Sequence, residues 1–116
     1  MFITYLAVTA IAIAMNGAMA VTDLARADFV VANAAAVRFP QSLVPLAGIL
    51  KGAGALGLVA GLAGFRPLGI AAALGLTLYF ALALIVHVRE RVFYNIAFPA
   101  AFFAVAAGAL ALAVAQ

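Results

Sequence analysis

The sequence predicts an all-α fold: a transmembrane four-helix bundle with a longer first loop that contains a short interfacial helix. Three observations predict it. Of 116 residues, 71% are apolar and only 8% are charged, against about 45–50% and about 25% in a soluble domain. The mean hydropathy is +1.34, too high for a water-facing layer around one core. The apolar residues also gather into four stretches, each near the roughly 20 residues that a helix needs to cross about 30 Å of hydrocarbon.

The first stretch, Met1–Val21, carries no charge. It has no basic start, and Thr4, Tyr5, Thr9 and Asn16 interrupt it, so it reads as a retained span and not as a signal peptide. The second, Leu43–Phe65, holds one charge, Lys51. The third and fourth, Pro67–Val88 and Phe93–Ala115, hold none. A β-barrel needs strands that alternate polar and apolar residues; runs such as Ala71-Ala72-Ala73-Leu74-Gly75-Leu76 do not. The four spans leave no room for a soluble domain, so residues 1–116 read as a single transmembrane domain.

The connections differ in character. Gly64 suits a helix C-cap and Pro67 a first helical position, which makes Phe65-Arg66-Pro67 a tight hairpin turn. Arg89-Glu90-Arg91 is another short link. Thr22–Ser42 is longer, lacks Gly and Pro from Asp23 to Val37, and is expected to form an interfacial helix or to extend the first span. Arg26, Arg38, Arg89 and Arg91 fall on one side of the membrane and Arg66 alone on the other. By the positive-inside rule the first and third loops are cytoplasmic and both termini extracytoplasmic, in a multi-pass protein of the cell membrane. A net charge of +3 is too small and scattered for nucleic acid and suits anionic headgroups.

Small residues recur at four-residue spacing in every span: Ala10, Ala14 and Ala18; Gly48 and Gly52; Ala53, Gly57 and Gly61; Gly69 and Ala73; Ala100, Ala104 and Gly108. Association in lipid relies on such close packing, and some of these faces could equally serve a homodimer. The polar residues also fall on helical stripes. Tyr5, Thr9, Asn16 and Asp23 share a line; Lys51 lies with Gly48, Gly54 and Ala55; Thr77, Phe80, Leu84 and His87 form a third line, and Asn95, Phe98 and Phe102 a fourth. At 1.5 Å per residue Asn16 lies about 8 Å and Lys51 about 12 Å inside its span. A cytoplasmic-side pocket is therefore expected, floored by Tyr5, Thr9 and Thr77, walled by Phe80, Phe98 and Phe102, and closed by the first loop. Its ligand-binding residues would be Asn16, Lys51, Thr77, Phe80, His87, Asn95, Phe98 and Phe102.

Lys51 has two readings: a snorkelling, ion-paired structural residue with Asp23 or Asp28 as partner, or an intramembrane charge facing a ligand. His87, the one histidine, is either an interfacial residue bonded to Glu90 or a headgroup, or a group that meets the ligand at neutral pH. Zero Cys and one His give no metal site and no thiol redox chemistry. No phosphate-binding glycine motif occurs. The first span has Asn16 where proton-coupled exporters of this size carry an acidic residue, which argues against proton-exchange transport.

The chain resembles the DoxX-like family of small four-helix membrane proteins. The residues that carry the resemblance are Asn16-Gly17, the Phe39-Pro40 before the second span, and Leu50-Lys51-Gly52-Ala53-Gly54-Ala55-Leu56-Gly57-Leu58. His87-Val88-Arg89 closes the third span and Asn95-Ile96-Ala97-Phe98-Pro99-Ala100 opens the last. The resemblance covers nearly the whole chain, and Lys51 and His87 match positions that the family pattern favours. It implies a link to membrane redox complexes, since the namesake resembles a subunit of a thiosulfate:quinone oxidoreductase; distant animal relatives resemble receptor-assembly chaperones. Three functions are thereby expected. The first is a module that binds a lipophilic molecule, a quinone or lipid, and serves a partner membrane protein of a redox or biosynthetic system. The second is an isomerase or hydrolase of a lipid-soluble substrate, with His87 as acid or base and Lys51 as electrostatic stabiliser. The third is an assembly factor without ligand. No cofactor is evident beyond such a quinone.

Overall fold

The computed structural model describes residues 1–116, all of them in helices or the turns between them. Helix α1 is Phe2–Leu24, α2 is Asp28–Ala36, α3 is Val44–Leu62, α4 is Arg66–Arg89 and α5 is Ala97–Ala115, with a 3₁₀ turn at Gln41–Leu43 before α3. Four of them, all but α2, are long and apolar enough to cross a membrane. The bundle is 39 Å in its longest dimension, against about 30 Å of hydrocarbon. Its outer surface is apolar: Ile3, Ile11, Leu56, Leu78, Leu82 and Val114 are exposed. This is a multi-pass membrane protein in contact with lipid.

The long helices form a square in which α1 packs on α3 and α5, and α4 on α3 and α5. Neighbours run antiparallel. Gly48 near the start of α3 lies against Ala20, Asp23 and Leu24 near the end of α1, while Gly61 near the end of α3 lies beside the Tyr5 hydroxyl. Both chain termini therefore share one end of the bundle, and the first and third loops share the other, called here the loop end. Ala12, Leu58, Ala73, Leu76, Phe80, Phe102, Ala106 and Ala109 make the core.

The structure moves three boundaries, one of them the end of the second span, which falls at Leu62 instead of Phe65. α1 continues three residues beyond Val21, so Asp23 belongs to the first span and is buried there. Hence the argument against proton exchange from a first span without a carboxylate does not hold. α5 starts at Ala97 instead of Phe93, because residues 93–96 do not join the helix although three of the four carry large apolar or aromatic side chains. The interfacial helix exists as α2 and starts at Asp28. Ser42 sits in the 3₁₀ turn and caps nothing with its side chain.

Helices α1 to α4 all end in one device. The N–H two residues after each cap reaches back five residues, as in Ala27 to the Thr22 carbonyl, Phe39 to Ala34, Phe65 to Ala60 and Val92 to His87. The residue between must take positive φ. At the hairpin of α3 and α4 that residue is Gly64, φ 109°; at the loop end it is Arg26 (52°), Arg38 (59°) and Arg91 (57°). The left-handed region costs a residue with a Cβ roughly 1–2 kcal/mol.

Close approach of α3 and α4 rests on Gly54, Gly57 and Gly61, where an added Cβ would meet Leu76, Ala72 and Gly69 of α4. A Cβ on Gly61 would lie 2.6 Å from the Gly69 Cα, which is backbone and cannot swing aside. Gly75 and Gly17 have nothing within 4 Å of that position. Gly61→Ala is thus expected to cost about 1–3 kcal/mol by forcing the helices apart. Gly75→Ala should be neutral or slightly stabilising, both measured by unfolding in mixed micelles followed by circular dichroism.

Candidate functional site

Near the loop end the helices line a partly open cavity of about 300 Å³. Its apolar wall includes Met19, Val30, Val44, Phe80, Phe98 and Phe102. α2 lies across it, placing Val30, Asn33 and Ala34 at its surface. The remaining polar lining is Asp23, Lys51, Tyr79, His87 and Asn95.

Lys51 points from α3 to α1, with Nζ 2.8 Å from Asp23 Oδ2. Both side chains are buried, at 8% and 2% exposure. Gly48, one turn before Lys51, permits the pair: a Cβ there would lie 2.8 Å from the Asp23 Cβ. The ammonium also lies 5.2 Å from the Tyr79 ring centre and 6.0 Å from that of Phe80, within the range of cation–π attraction. The pair puts no net charge on the cavity wall. Asp28 is no part of it. It stands exposed in the first turn of α2, where a carboxylate favours the helix dipole.

His87 donates no bond to Glu90. Its Nδ1 lies 2.8 Å from the Ala83 carbonyl, which can only accept, so the neutral ring keeps its proton on Nδ1 and leaves Nε2 as an acceptor. Glu90 instead pairs with Arg38, Oε1 to Nε at 3.4 Å. Asn95 Nδ2 donates to Asn33 Oδ1 at 3.0 Å, and Asn95 Oδ1 is buried without a partner. Phe98 and Phe102 stack with ring centres 5.2 Å apart, and Phe102 lies 5.0 Å from Phe80.

Of the eight predicted ligand residues, six line the cavity: Lys51, Phe80, His87, Asn95, Phe98 and Phe102. Asn16 and Thr77 do not. Helical side chains slant toward their own N-terminus, and α1 and α3 are antiparallel. Lys51 therefore leans toward the loop end and Asn16 away from it. Asn16 is buried in the bundle, donating Nδ2 to the Ala12 carbonyl at 3.0 Å with Oδ1 unpaired. Thr77 spends its hydroxyl on the Ala73 carbonyl at 2.6 Å. Tyr5 and Thr9 lie further still from the loop end and form no floor; the Thr9 hydroxyl is buried and unpaired. Asn33 and Tyr79 were missed. A lone amide within Val31-Ala32-Asn33-Ala34-Ala35 was the available signal for Asn33.

Truncating one member of a buried ion pair leaves the other charge stranded, at about 3–5 kcal/mol, while replacing both with apolar groups costs far less. Asp23→Leu or Lys51→Met alone should lower stability by about 3 kcal/mol. The double variant should recover most of that loss, as read from unfolding midpoints in the same micelles.

No curated protein and no solved structure matches the chain. A family model described as the DoxX-like family matches residues 7–109, which takes in α2, α3 and α4 whole, most of α1 and α5, and every residue of the cavity. The chain belongs to the DoxX-like family.

Proposed function

We propose that the protein binds a neutral lipophilic molecule, of quinone or lipid type, in the loop-end cavity, as an accessory module of a membrane redox or biosynthetic system. The observation that supports this reading is the wall chemistry. The cavity is mostly apolar, its one ammonium is neutralised by Asp23, and a few hydrogen-bonding groups converge there from different elements. Those groups are Asn33 from α2, His87 from α4 and Asn95 before α5. Ligand sites share this composition: apolar walls for burial and a small polar set for orientation. Phe80, Phe98 and Phe102 offer stacked ring surface for a flat head, and the His87 Nε2 is available as its hydrogen-bond partner.

The reading also places the loop end in the cytoplasm, since Arg26, Arg38, Arg89 and Arg91 are there and Arg66 alone is at the other end. The absence of Cys makes orientation directly testable. In intact cells a membrane-impermeant maleimide should label Ala63→Cys and spare Ala35→Cys, both at exposed positions. The reverse pattern overturns the orientation.

Protein purified in mild detergent should carry a quinone or neutral lipid detectable by native mass spectrometry and solvent extraction. Ala83→Leu, which adds bulk to a cavity-lining position, should lose most of it while keeping its helical circular dichroism. Repeated purification without such a molecule, or equal retention by the variant, would sink the proposal.

A further inference from the structure

Three arginines at the loop end occupy backbone positions that glycine fills at lower cost. Arg26, Arg38 and Arg91 each close a helix with φ between 52° and 59°. The corresponding position at the opposite end is Gly64, so this fold does use glycine there where no cation is placed. A strained conformation held by a long cationic residue three times over, on one end only, points to a use for the cation beyond the cap itself.

Their surroundings sharpen this. The Arg38–Glu90 contact of 3.4 Å joins the first loop to the third, and Arg89 and Arg91 flank Glu90 in the chain. Arg38 sits between Val37 and Phe39, and Arg89 and Arg91 follow His87; Val37, Phe39 and His87 all line the cavity. Arg26 donates to the Gln41 carbonyl at 3.0 Å, while Arg89 and Arg91 have no carboxylate within 4.0 Å. With Asp23 paired to Lys51, this end carries four arginines against two further carboxylates, Asp28 and Glu90. Arg66 at the other end is differently employed: it donates to the Ala113 and Val114 carbonyls, at 3.4 and 2.8 Å, and so closes α5.

We propose that the capping arginines Arg26, Arg38 and Arg91, with Arg89, form a docking surface for the phosphate of an anionic phospholipid at the rim of the cavity. Guanidinium groups bind phosphate through paired, charge-assisted hydrogen bonds. A helix end at the membrane surface holds them at headgroup depth, and the left-handed cap directs each chain out of its helix at that level. The docking surface stands on charge and backbone geometry and does not require the cavity to hold a ligand.

The test uses the delipidated full chain in neutral detergent, titrated with phosphatidylglycerol or phosphatidylcholine and read by native mass spectrometry. Each arginine near an anionic surface is worth roughly fivefold in affinity. The triple variant R26G/R38G/R91G keeps residues suited to the caps, so its unfolding midpoint should equal or exceed that of the wild type. It should lose phosphatidylglycerol binding on the order of 100-fold, with phosphatidylcholine little changed. Arg66→Gln removes one cation from the opposite end and should keep the preference for phosphatidylglycerol. The proposal is overturned if the triple variant retains that preference, if Arg66→Gln loses as much, or if the triple variant is less stable. It is also overturned if inorganic phosphate at equal concentration displaces the lipid, which would make the surface a site for a free anion.

Discussion

The ion pair between Lys51 and Asp23 organises the loop end of the molecule. A lysine at the middle of a spanning helix costs about 2.5–3.5 kcal/mol on insertion scales, and a lone carboxylate at similar depth fares no better. Each is tolerable here because the other lies 2.8 Å away. The pairing in turn dictates helix geometry. α1 must continue to Leu24 for Asp23 to be held on a helix face, and α3 must present glycine at position 48 for the two backbones to come close enough. With α1 and α3 fastened at this end, Tyr79 and Phe80 of α4 complete the surroundings of the ammonium. The space left over between those helices, α5 and the crossing α2 is the cavity.

How much of this the sequence disclosed depended on the physical signal behind each feature. Hydropathy summed over some 20 residues is strong, so the four spans were legible, and helical period placed Lys51, Phe80, His87, Asn95, Phe98 and Phe102 toward one region. Whether Asp23 ends a helix or begins a loop turns on a single helical turn, and neither Thr22 nor Leu24 decides it. The slant of side chains along a helix is invisible to an argument from depth alone. Asn16 and Lys51 start at comparable levels, yet they lean apart because their helices run in opposite directions. The left-handed arginines were illegible for a different reason. Turn chemistry is read from Gly, Asn and Pro, and Gly64 could be assigned that way, whereas Arg26, Arg38 and Arg91 look like ordinary surface cations until the backbone is seen.

The two ends of the bundle thus solve one problem in two ways. Every spanning helix leaves carbonyl groups unpaired at its C-terminus, and in lipid these need partners near the interface. At the end that holds the termini, glycine makes the reversal between α3 and α4, and the one cation there, Arg66, is consumed by the last carbonyls of α5. At the loop end the reversals are made by arginines whose side chains stay exposed. Positive charge near a helix C-terminus is favourable in itself, which offsets part of the backbone cost. It does not account for arginine over the commoner device of glycine at the turn with lysine or arginine within the last helical turn, the arrangement that α4 also has in Arg89.

The roof of the cavity differs in kind from its walls. The four long helices share a continuous core from Ala12 to Ala109, whereas α2 contributes only Val30 and Ala34 to a small cluster with Val44. Polar ties do the rest: Asn33 to Asn95, Gln41 Nε2 to the Val31 carbonyl, Arg26 to Gln41 and Arg38 to Glu90. Elements with little buried apolar area open at lower free energy than the core around them. In this molecule that element is α2.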